Sequence, residues 1–215
     1  MHANNPNLKH QFSTLEQQHH SYVAGMWVFL ATEILLFGGI MVSYTVYRFQ
    51  YYEAFTAGSH DISLPLGTVM TAILLTSSLF MALSVRASQL NQPKLCALLL
   101  AITIILGLIF LGMKAFEYYD EFHKHHFPGR HFAFHGVHLT HVALFFSFYF
   151  VMTGLHAIHM MIGIFLLALM AVLSLRGHFN SERYEPVEMA GLYWHFVDIV
   201  WIFLFPLLYL VGTAQ

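Results

Sequence analysis

Five long apolar stretches, separated by polar breaks, organise the sequence. They cover residues 21–47, 66–85, 95–113, 142–173 and 189–211. An α-helix needs about 20 predominantly apolar residues to cross the roughly 30 Å of bilayer hydrocarbon, and each stretch meets that requirement. Because a segment in lipid must satisfy its own backbone polar groups, the pattern predicts an all-α polytopic membrane protein built as a bundle of five transmembrane helices.

The polar segments complete this organisation. Residues 1–20 form a polar amino-terminal segment, and residues 114–141 form a long connection rich in histidine, here the His-rich loop. We find no internal repeat, so residues 1–215 are predicted to form a single membrane domain. The fourth stretch would be about 48 Å long as a helix, and we expect it to tilt or to project from the bilayer.

Composition narrows the class further. The chain is 58% hydrophobic and only 9% charged, whereas soluble domains carry roughly 25% charged residues. Eleven acidic against nine basic residues leave no strong field, so we expect no nucleic-acid partner. The single Cys96 excludes an internal disulfide and a thiolate metal cluster. A cleaved signal peptide is not expected, because residues 1–20 lack a basic region followed by an apolar core.

The distribution of basic residues gives a weak prediction of orientation. Five spans place the two termini on opposite sides of the membrane. The amino-terminal side carries five Lys or Arg and the other side four, which slightly favours a cytoplasmic amino terminus. These residues are Lys9, Arg86, Lys94, Arg176 and Arg183 on the first side, and Arg48, Lys114, Lys124 and Arg130 on the second.

Ionisable residues within the first and fourth spans are candidate functional groups, because such residues are costly in lipid. Glu33 lies near the centre of the first span, and His156 and His159 lie three residues apart in the fourth. We expect both histidines to reach Glu33 if the helices adjoin. The group can lock the helices together, or it can bind lipid and influence proton movement. Haem ligation is less favoured, since two histidines on one helix cannot ligate both faces of a haem.

The last span carries a second polar pair. His195 and Asp198 lie one turn apart, between Trp194 and Trp201, and we expect them to hydrogen-bond to each other. A proton relay is the alternative, but it needs an unbroken polar chain that the sequence does not provide. At the end of the third span, Lys114 and Glu117 are spaced to form an ion pair, with the lysine extending outward toward water.

The His-rich loop is a candidate metal site. His135, His138 and His141 recur every three residues, and clustered imidazoles suit Zn, Cu or Ni. This pattern keeps open a function as a membrane metalloenzyme or metal transporter. However, almost all exposed histidines lie in this one loop, and no paired carboxylates accompany them. A solvated, pH-sensitive loop without a bound metal is therefore the favoured interpretation.

Five motifs in order resemble subunit III of the haem-copper terminal oxidases, in its short five-helix bacterial form. They lie at residues 27–37 (WVFLATEILLF), 74–78 (LLTSS), 116–118 (FEY), 153–159 (TGLHAIH) and 193–201 (YWHFVDIVW). The resemblance implies a cofactor-free subunit of a proton-pumping oxidase that reduces oxygen to water. Cytochrome c oxidase is the favoured complex, with a quinol oxidase or a nitric oxide reductase as alternatives.

The resemblance also implies partners and roles. Haem and copper would lie in partner subunits, with subunit I as the main partner and subunit II, with small subunits, as others. The chain would bind phospholipid and support the stability and proton uptake of subunit I from the bacterial cytoplasmic membrane, with its amino terminus cytoplasmic and its carboxy terminus periplasmic. Glu33 would be the buried carboxyl of the family, paired with His159 or His156. Trp27, Trp194 and Trp201 would pack against lipid or other subunits.

Overall fold

A computed structural model of the chain describes residues 11–129, 132, 134, 139–179 and 184–213. All regular structure within these ranges is helical, and five helices are long and apolar enough to cross a membrane. The prediction of an all-α membrane bundle with five spans is confirmed. The helices are α1 (Leu15–Gln50), α2 (Tyr52–Asp61), α3 (Leu64–Gln89), α4 (Pro93–His123), α5 (Leu139–Leu175) and α6 (Glu185–Tyr209), followed by the short 3₁₀ helix η1 (Val211–Thr213).

The last long helix occupies the centre of the bundle. Helix α6 packs against α1, α3 and α5, while α3, α4 and α5 pack in sequence as antiparallel neighbours. Among the described helices, α1 contacts only α2, α5 and α6 and lies at the periphery. We call the side on which α1 begins the amino-terminal side, and the side on which α6 ends the carboxy-terminal side.

The second helix is absent from the sequence-based prediction. Residues 51–65 were expected to form a polar break, but residues 52–61 form α2, which packs against α5 and η1 on the carboxy-terminal side. Its anchor is Phe55, which is fully buried against Tyr44, Phe145 and Phe148. Ten residues are too few to cross the bilayer, so a search for apolar spans does not detect this helix.

Several helices extend well beyond the apolar stretches. Helix α1 begins inside the polar amino-terminal segment, where the side chain of Thr14 caps it by accepting a hydrogen bond from the N–H of Gln17 at 3.1 Å. Helix α4 continues to His123, and so includes the first ten residues of the predicted His-rich loop. Helix α5 has 37 residues, which is about 55 Å at 1.5 Å per residue and exceeds the hydrocarbon thickness.

Small residues allow the bundle to close around two tryptophans. Trp194 is fully buried, and its ring lies between Gly107 of α4 and Gly163 of α5. A Cβ added at either glycine would lie 2.8 or 2.9 Å from the indole ring, so neither position has space for a side chain. Trp201 is also fully buried and packs against Phe110. Both tryptophans therefore pack helices of this chain, whereas Trp27 is 59% exposed on α1.

Candidate functional site

An acid–imidazole pair joins the peripheral helix to the bundle. Nε2 of His159 on α5 lies 3.0 Å from Oε2 of Glu33 on α1. Nδ1 of the same ring lies 2.8 Å from the carbonyl oxygen of Leu155. A carbonyl can only accept, so Nδ1 carries a proton. A second proton then lies between Nε2 and the carboxyl of Glu33, and the two groups share it.

The pair opens into an apolar cleft between α1, α5 and α6. The cleft has a volume of about 520 Å³. Apart from Glu33 and His159, its walls are almost entirely apolar: Met26, Phe29, Ile162, Leu166, Met170, Pro186, Met189, Ala190 and Tyr193. The hydroxyl of Tyr193 donates to the carbonyl of His159 at 3.2 Å and so links α6 to the pair. The cleft runs from the pair toward the amino-terminal side, where α5 ends and α6 begins.

The structure does not bring His156 to Glu33. His156 lies inside the bundle, with Phe110 and Trp201 against its ring. Neither ring nitrogen has a hydrogen-bond partner in the described part of the chain. Residues three apart on a helix differ by about 60° in direction, which is enough for His159 to face α1 and His156 to face α4 and α6.

The prediction that His195 and Asp198 hydrogen-bond to each other is wrong. Nδ1 of His195 instead hydrogen-bonds to the hydroxyl of Ser78 on α3 at 2.7 Å. Asp198 is buried, and neither carboxyl oxygen has a hydrogen-bond partner among the described residues. The hydroxyl of Ser78 therefore takes the place that Asp198 was expected to occupy beside His195.

Hydroxyls of α3 also bind the two indole nitrogens of α6. Nε1 of Trp194 donates to Ser77 at 3.2 Å, and Nε1 of Trp201 donates to Thr71 at 3.0 Å. With the Ser78–His195 bond, three hydroxyls of one helix satisfy three ring nitrogens of the other. These three hydrogen bonds hold α3 against α6. We therefore assign them a role in helix packing.

The outward orientation expected for Lys114 is also wrong. Lys114 is fully buried and pairs with Glu117 at 2.8 Å. Its ammonium also donates to the hydroxyls of Tyr149 at 3.0 Å and Tyr209 at 2.8 Å, and Tyr209 donates to Glu117 at 2.9 Å. This buried ion cluster joins α4, α5 and α6. The long aliphatic side chain of Lys114 can extend into the bundle as well as toward water. Inside the bundle, the hydroxyls of Tyr149 and Tyr209 accept hydrogen bonds from its ammonium.

A second ion cluster lies on the carboxy-terminal side, just beyond α4. Lys124 contacts Asp120 at 2.8 Å, Glu121 at 3.1 Å and Asp61 at 3.8 Å. Partial burial acts to lower the pKa of Lys124, but the three carboxylates outweigh it and raise that pKa above its ordinary value. The ammonium therefore stays charged. Nδ1 of His126 lies 2.8 Å from Glu121 and 3.1 Å from Asp61.

The alternative metal triad of the His-rich loop, which the sequence left open but did not favour, lies largely outside the described residues. His135 and His138 lie outside them. His141 stacks on Tyr51, with ring centroids 3.9 Å apart. Within the described ranges, the group with metal-ligand spacing is instead Asp61, Glu121 and His126. Sequence reasoning missed it because these residues come from two connections that look independent along the chain.

Comparison with known proteins identifies the family. The family model described as "Cytochrome c oxidase subunit III" matches residues 10–213. The chain is 33% identical over 190 residues to "Cytochrome c oxidase subunit 3" of Thermostichus vulcanus, covering 88% of this chain and 87% of that protein. It is 29% identical over 211 residues to "Probable quinol oxidase subunit 3" of Staphylococcus saprophyticus, covering 96% and 98%. A relative of the same name from Staphylococcus aureus is 26% identical over 210 residues. The chain therefore belongs to the cytochrome c oxidase subunit III family, as a subunit III of a haem-copper oxidase.

Proposed function

We propose that this chain is an accessory subunit that binds phospholipid in the Glu33 cleft and supports proton uptake and sustained turnover by subunit I. Haem and copper lie in partner subunits, subunit II and small subunits complete the complex, and this chain itself carries no redox cofactor. The observation that carries the proposal is the cleft: an apolar groove with one acid–imidazole pair, Glu33–His159, at its deep end.

The dimensions of the cleft favour a lipid acyl chain. Its lining on α5 extends from His159 to Met170, which is roughly 17 Å of helix at 1.5 Å per residue. One leaflet contributes about half of the roughly 30 Å hydrocarbon thickness. A single acyl chain from the amino-terminal leaflet therefore matches the groove from the membrane surface to Glu33. Methionine and aromatic side chains in its wall suit a flexible apolar ligand.

The Glu33–His159 pair also supports an indirect role of this chain in proton movement, in which subunit I conducts the protons. Glu33 and His159 share one proton, and both side chains remain partly exposed to the cleft, at 16% and 13%. The surrounding walls are apolar, so among the described residues of this cleft no chain of hydrogen-bonding groups leads away from the pair. The carboxyl accordingly acts on protons near the lipid-filled surface, and subunit I conducts them.

The subunit is expected in the bacterial cytoplasmic membrane, with its amino terminus cytoplasmic and its carboxy terminus periplasmic. The buried position of Lys114 supports this orientation, because a lysine inside the bundle is no longer a loop charge. Five basic residues on the amino-terminal side then compare with three on the other.

Cysteine labelling in intact cells tests the orientation. The native Cys96 is fully buried and is replaced by serine. A membrane-impermeant maleimide that reaches the periplasm should label Gly129→Cys but not Gln92→Cys, since these positions are exposed on opposite sides of the bundle. Labelling of Gln92→Cys alone would reverse the orientation.

The lipid proposal is tested by purifying the complex with Glu33→Gln or Glu33→Ala. The haem spectrum should be unchanged, while activity decays faster during continuous turnover and less phospholipid remains bound, as counted by mass spectrometry. Thr32→Ala is the matched control, because Thr32 is exposed next to Glu33 and bonds only to a carbonyl of its own helix. Loss of the haem spectrum from the assembled complex, or turnover decay and lipid content identical to the control, would contradict the proposal.

The electron donor is the point on which the relatives differ, since they are named for quinol and for cytochrome c. We favour cytochrome c, and a quinol is the alternative. Steady-state oxygen consumption by the purified complex with each reduced donor in turn decides between them, because only the true donor should sustain rapid turnover.

A further inference from the structure

We propose that Asp61, Glu121 and His126 form a divalent-cation site, best suited to Zn²⁺, on the carboxy-terminal side of the bundle. One ligand atom from each residue lies within 4.8 Å of the other two. Nδ1 of His126 lies 2.8 Å from Oε2 of Glu121 and 3.1 Å from Oδ2 of Asp61. The site is separate from the Glu33 cleft and does not depend on the proposed function.

Local backbone structure presents two of the ligands together. Helix α4 ends in a Schellman motif, in which the N–H of His126 donates to the carbonyl of Glu121 and the N–H of His125 to that of Phe122, both at 3.1 Å. The motif requires a left-handed residue, and His125 takes that conformation at φ 60°. The chain turns back on itself there, so the imidazole of His126 lies directly against the carboxylate of Glu121.

The third ligand depends on α2. Asp61 is the last residue of that helix, and the burial of Phe55 against α5 fixes the position of α2. Phe134 and Phe146 lie beside the imidazole of His126, with ring centroids 5.5 and 4.8 Å away. Glu121 and His126 are both more than nine-tenths buried. Packing therefore fixes these two buried ligands, whereas the side chain of Asp61 is 36% exposed.

The hydrogen bonds of the group are incomplete without a cation. His126 has a single Nδ1–H at most, and it donates to Glu121. Oδ2 of Asp61 approaches the same nitrogen, yet it is buried without a hydrogen-bond partner in the described ranges. A cation that replaces the Nδ1 proton would bind all three atoms at once. With Zn–ligand distances near 2.0–2.1 Å, tetrahedral ligand atoms lie about 3.3 Å apart. The two distances to Nδ1 of His126, 2.8 and 3.1 Å, are within a few tenths of an ångström of that value.

Charge also favours a dication. Asp61, Asp120 and Glu121 face one ammonium, that of Lys124, so the group has a net charge of −2 when His126 is neutral. Lys124 is 38% exposed, and it can remain with Asp120 while a metal takes the other two carboxylates. One imidazole and two carboxylates suit zinc better than magnesium or calcium, which prefer oxygen ligands alone. A water completes four-coordination.

The test is zinc binding by the purified, detergent-solubilised protein together with the subunits that accompany it. The sample is stripped with a chelator and equilibrated with free zinc, and bound zinc per chain is counted by elemental mass spectrometry. The wild type should retain a site that is weakened about tenfold or more in Asp61→Asn, an isosteric change that leaves the His126–Glu121 bond in place. Lys124→Gln should tighten the same site, because it removes the competing charge.

A variant with His135→Gln and His138→Gln provides the control for other zinc-binding groups in the loop. It should keep the site that Asp61→Asn weakens. Cobalt substitution adds a readout independent of folding, since visible bands of tetrahedral Co²⁺ should be present in the control and absent in His126→Gln. Equal zinc binding in wild type and Asp61→Asn, or loss of all zinc in the loop control, would overturn the proposal and leave Lys124 as the sole counter-charge of the cluster.

Discussion

The Glu33–His159 pair and the Lys114–Glu117 cluster are both ionisable groups within membrane helices, but their surroundings differ. Glu33 has one side-chain partner and a cleft beside it. Lys114 and Glu117 are only 3% exposed and are bound by Tyr149 and Tyr209 as well as by each other. A charge surrounded by partners holds helices together and is closed to ligands. A charge with one partner and an open side remains available to a lipid or a proton.

The largest expected effect separates these two roles. Lys114→Met leaves the buried carboxylate of Glu117 without its cation, and breaking a buried pair in this way costs about 3–5 kcal/mol. We expect a large loss of folded protein and of assembled complex, measured by thermal unfolding in detergent and by size-exclusion chromatography. The control is Lys94→Met, at an exposed position on the amino-terminal side.

The double variant Lys114→Met, Glu117→Leu sharpens this test. Replacing both charges by apolar groups should recover much of the lost stability, because no buried charge remains. A double variant as unstable as Lys114→Met alone would show that the tyrosine hydroxyls, rather than the ion pair, dominate the cluster.

The next effect concerns α6, which contacts both regions. Gly107→Ala forces a Cβ to within 2.8 Å of Trp194, and overpacking of this kind costs about 1–3 kcal/mol. Gly112→Ala on the same helix is the matched control, since a Cβ there meets nothing within 4 Å. Gly107→Ala should therefore have a lower melting temperature than Gly112→Ala. Equal melting temperatures would mean that α4 moves away from α6 without cost.

A smaller effect, of opposite sign, is expected where α4 ends near the carboxy-terminal cluster. His125→Gly removes the strain of a left-handed residue with a side chain and should stabilise the protein by about 1 kcal/mol. The reverse change, Gly177→Ala at φ 72° after α5, should destabilise it by a similar amount in the same unfolding assay. A destabilised His125→Gly would indicate that this imidazole makes an interaction worth more than the strain.

The smallest effect is predicted for the pair beside the cleft. Hydrogen bonds between membrane helices average about 0.6 kcal/mol, so Glu33→Ala should lower stability by about that amount, although we expect the same change to shorten sustained turnover. Differential scanning calorimetry of the complex checks the value against Thr32→Ala. A loss of stability as large as that of Lys114→Met would mean that Glu33, like Lys114, mainly holds helices together. The contrast between the two regions would then disappear.

The sequence predicted the long apolar helices well, because their length and composition are imposed by the bilayer. It did not predict α2, whose stability comes from Phe55 packing against residues some 90 positions later. Nor did it predict the inward direction of Lys114, which depends on hydroxyls contributed by Tyr149 and Tyr209 from two other helices.

The candidate site was predictable only in part. The residue types at positions 33 and 159 indicated a polar contact, because an isolated charge in lipid needs a partner. Which histidine would meet Glu33 depended on the rotation of α5, and spacing alone does not determine it. The group Asp61, Glu121 and His126 depends on α2 and on a helix cap, two features that hydrophobic periodicity does not reveal.

The peripheral position of α1 has a consequence for biosynthesis. Its contacts within the described chain are with α2, α5 and α6, and the partner of Glu33 is separated from it by 126 residues. At roughly 5–20 residues per second, the ribosome needs about 6–25 s to make that interval. During this time the newly inserted first helix holds its carboxyl in the bilayer without His159. An ionisable side chain at the centre of a span costs about 2.5–3.5 kcal/mol on insertion scales, so the apolar residues of α1 have to offset that cost until the later helices emerge.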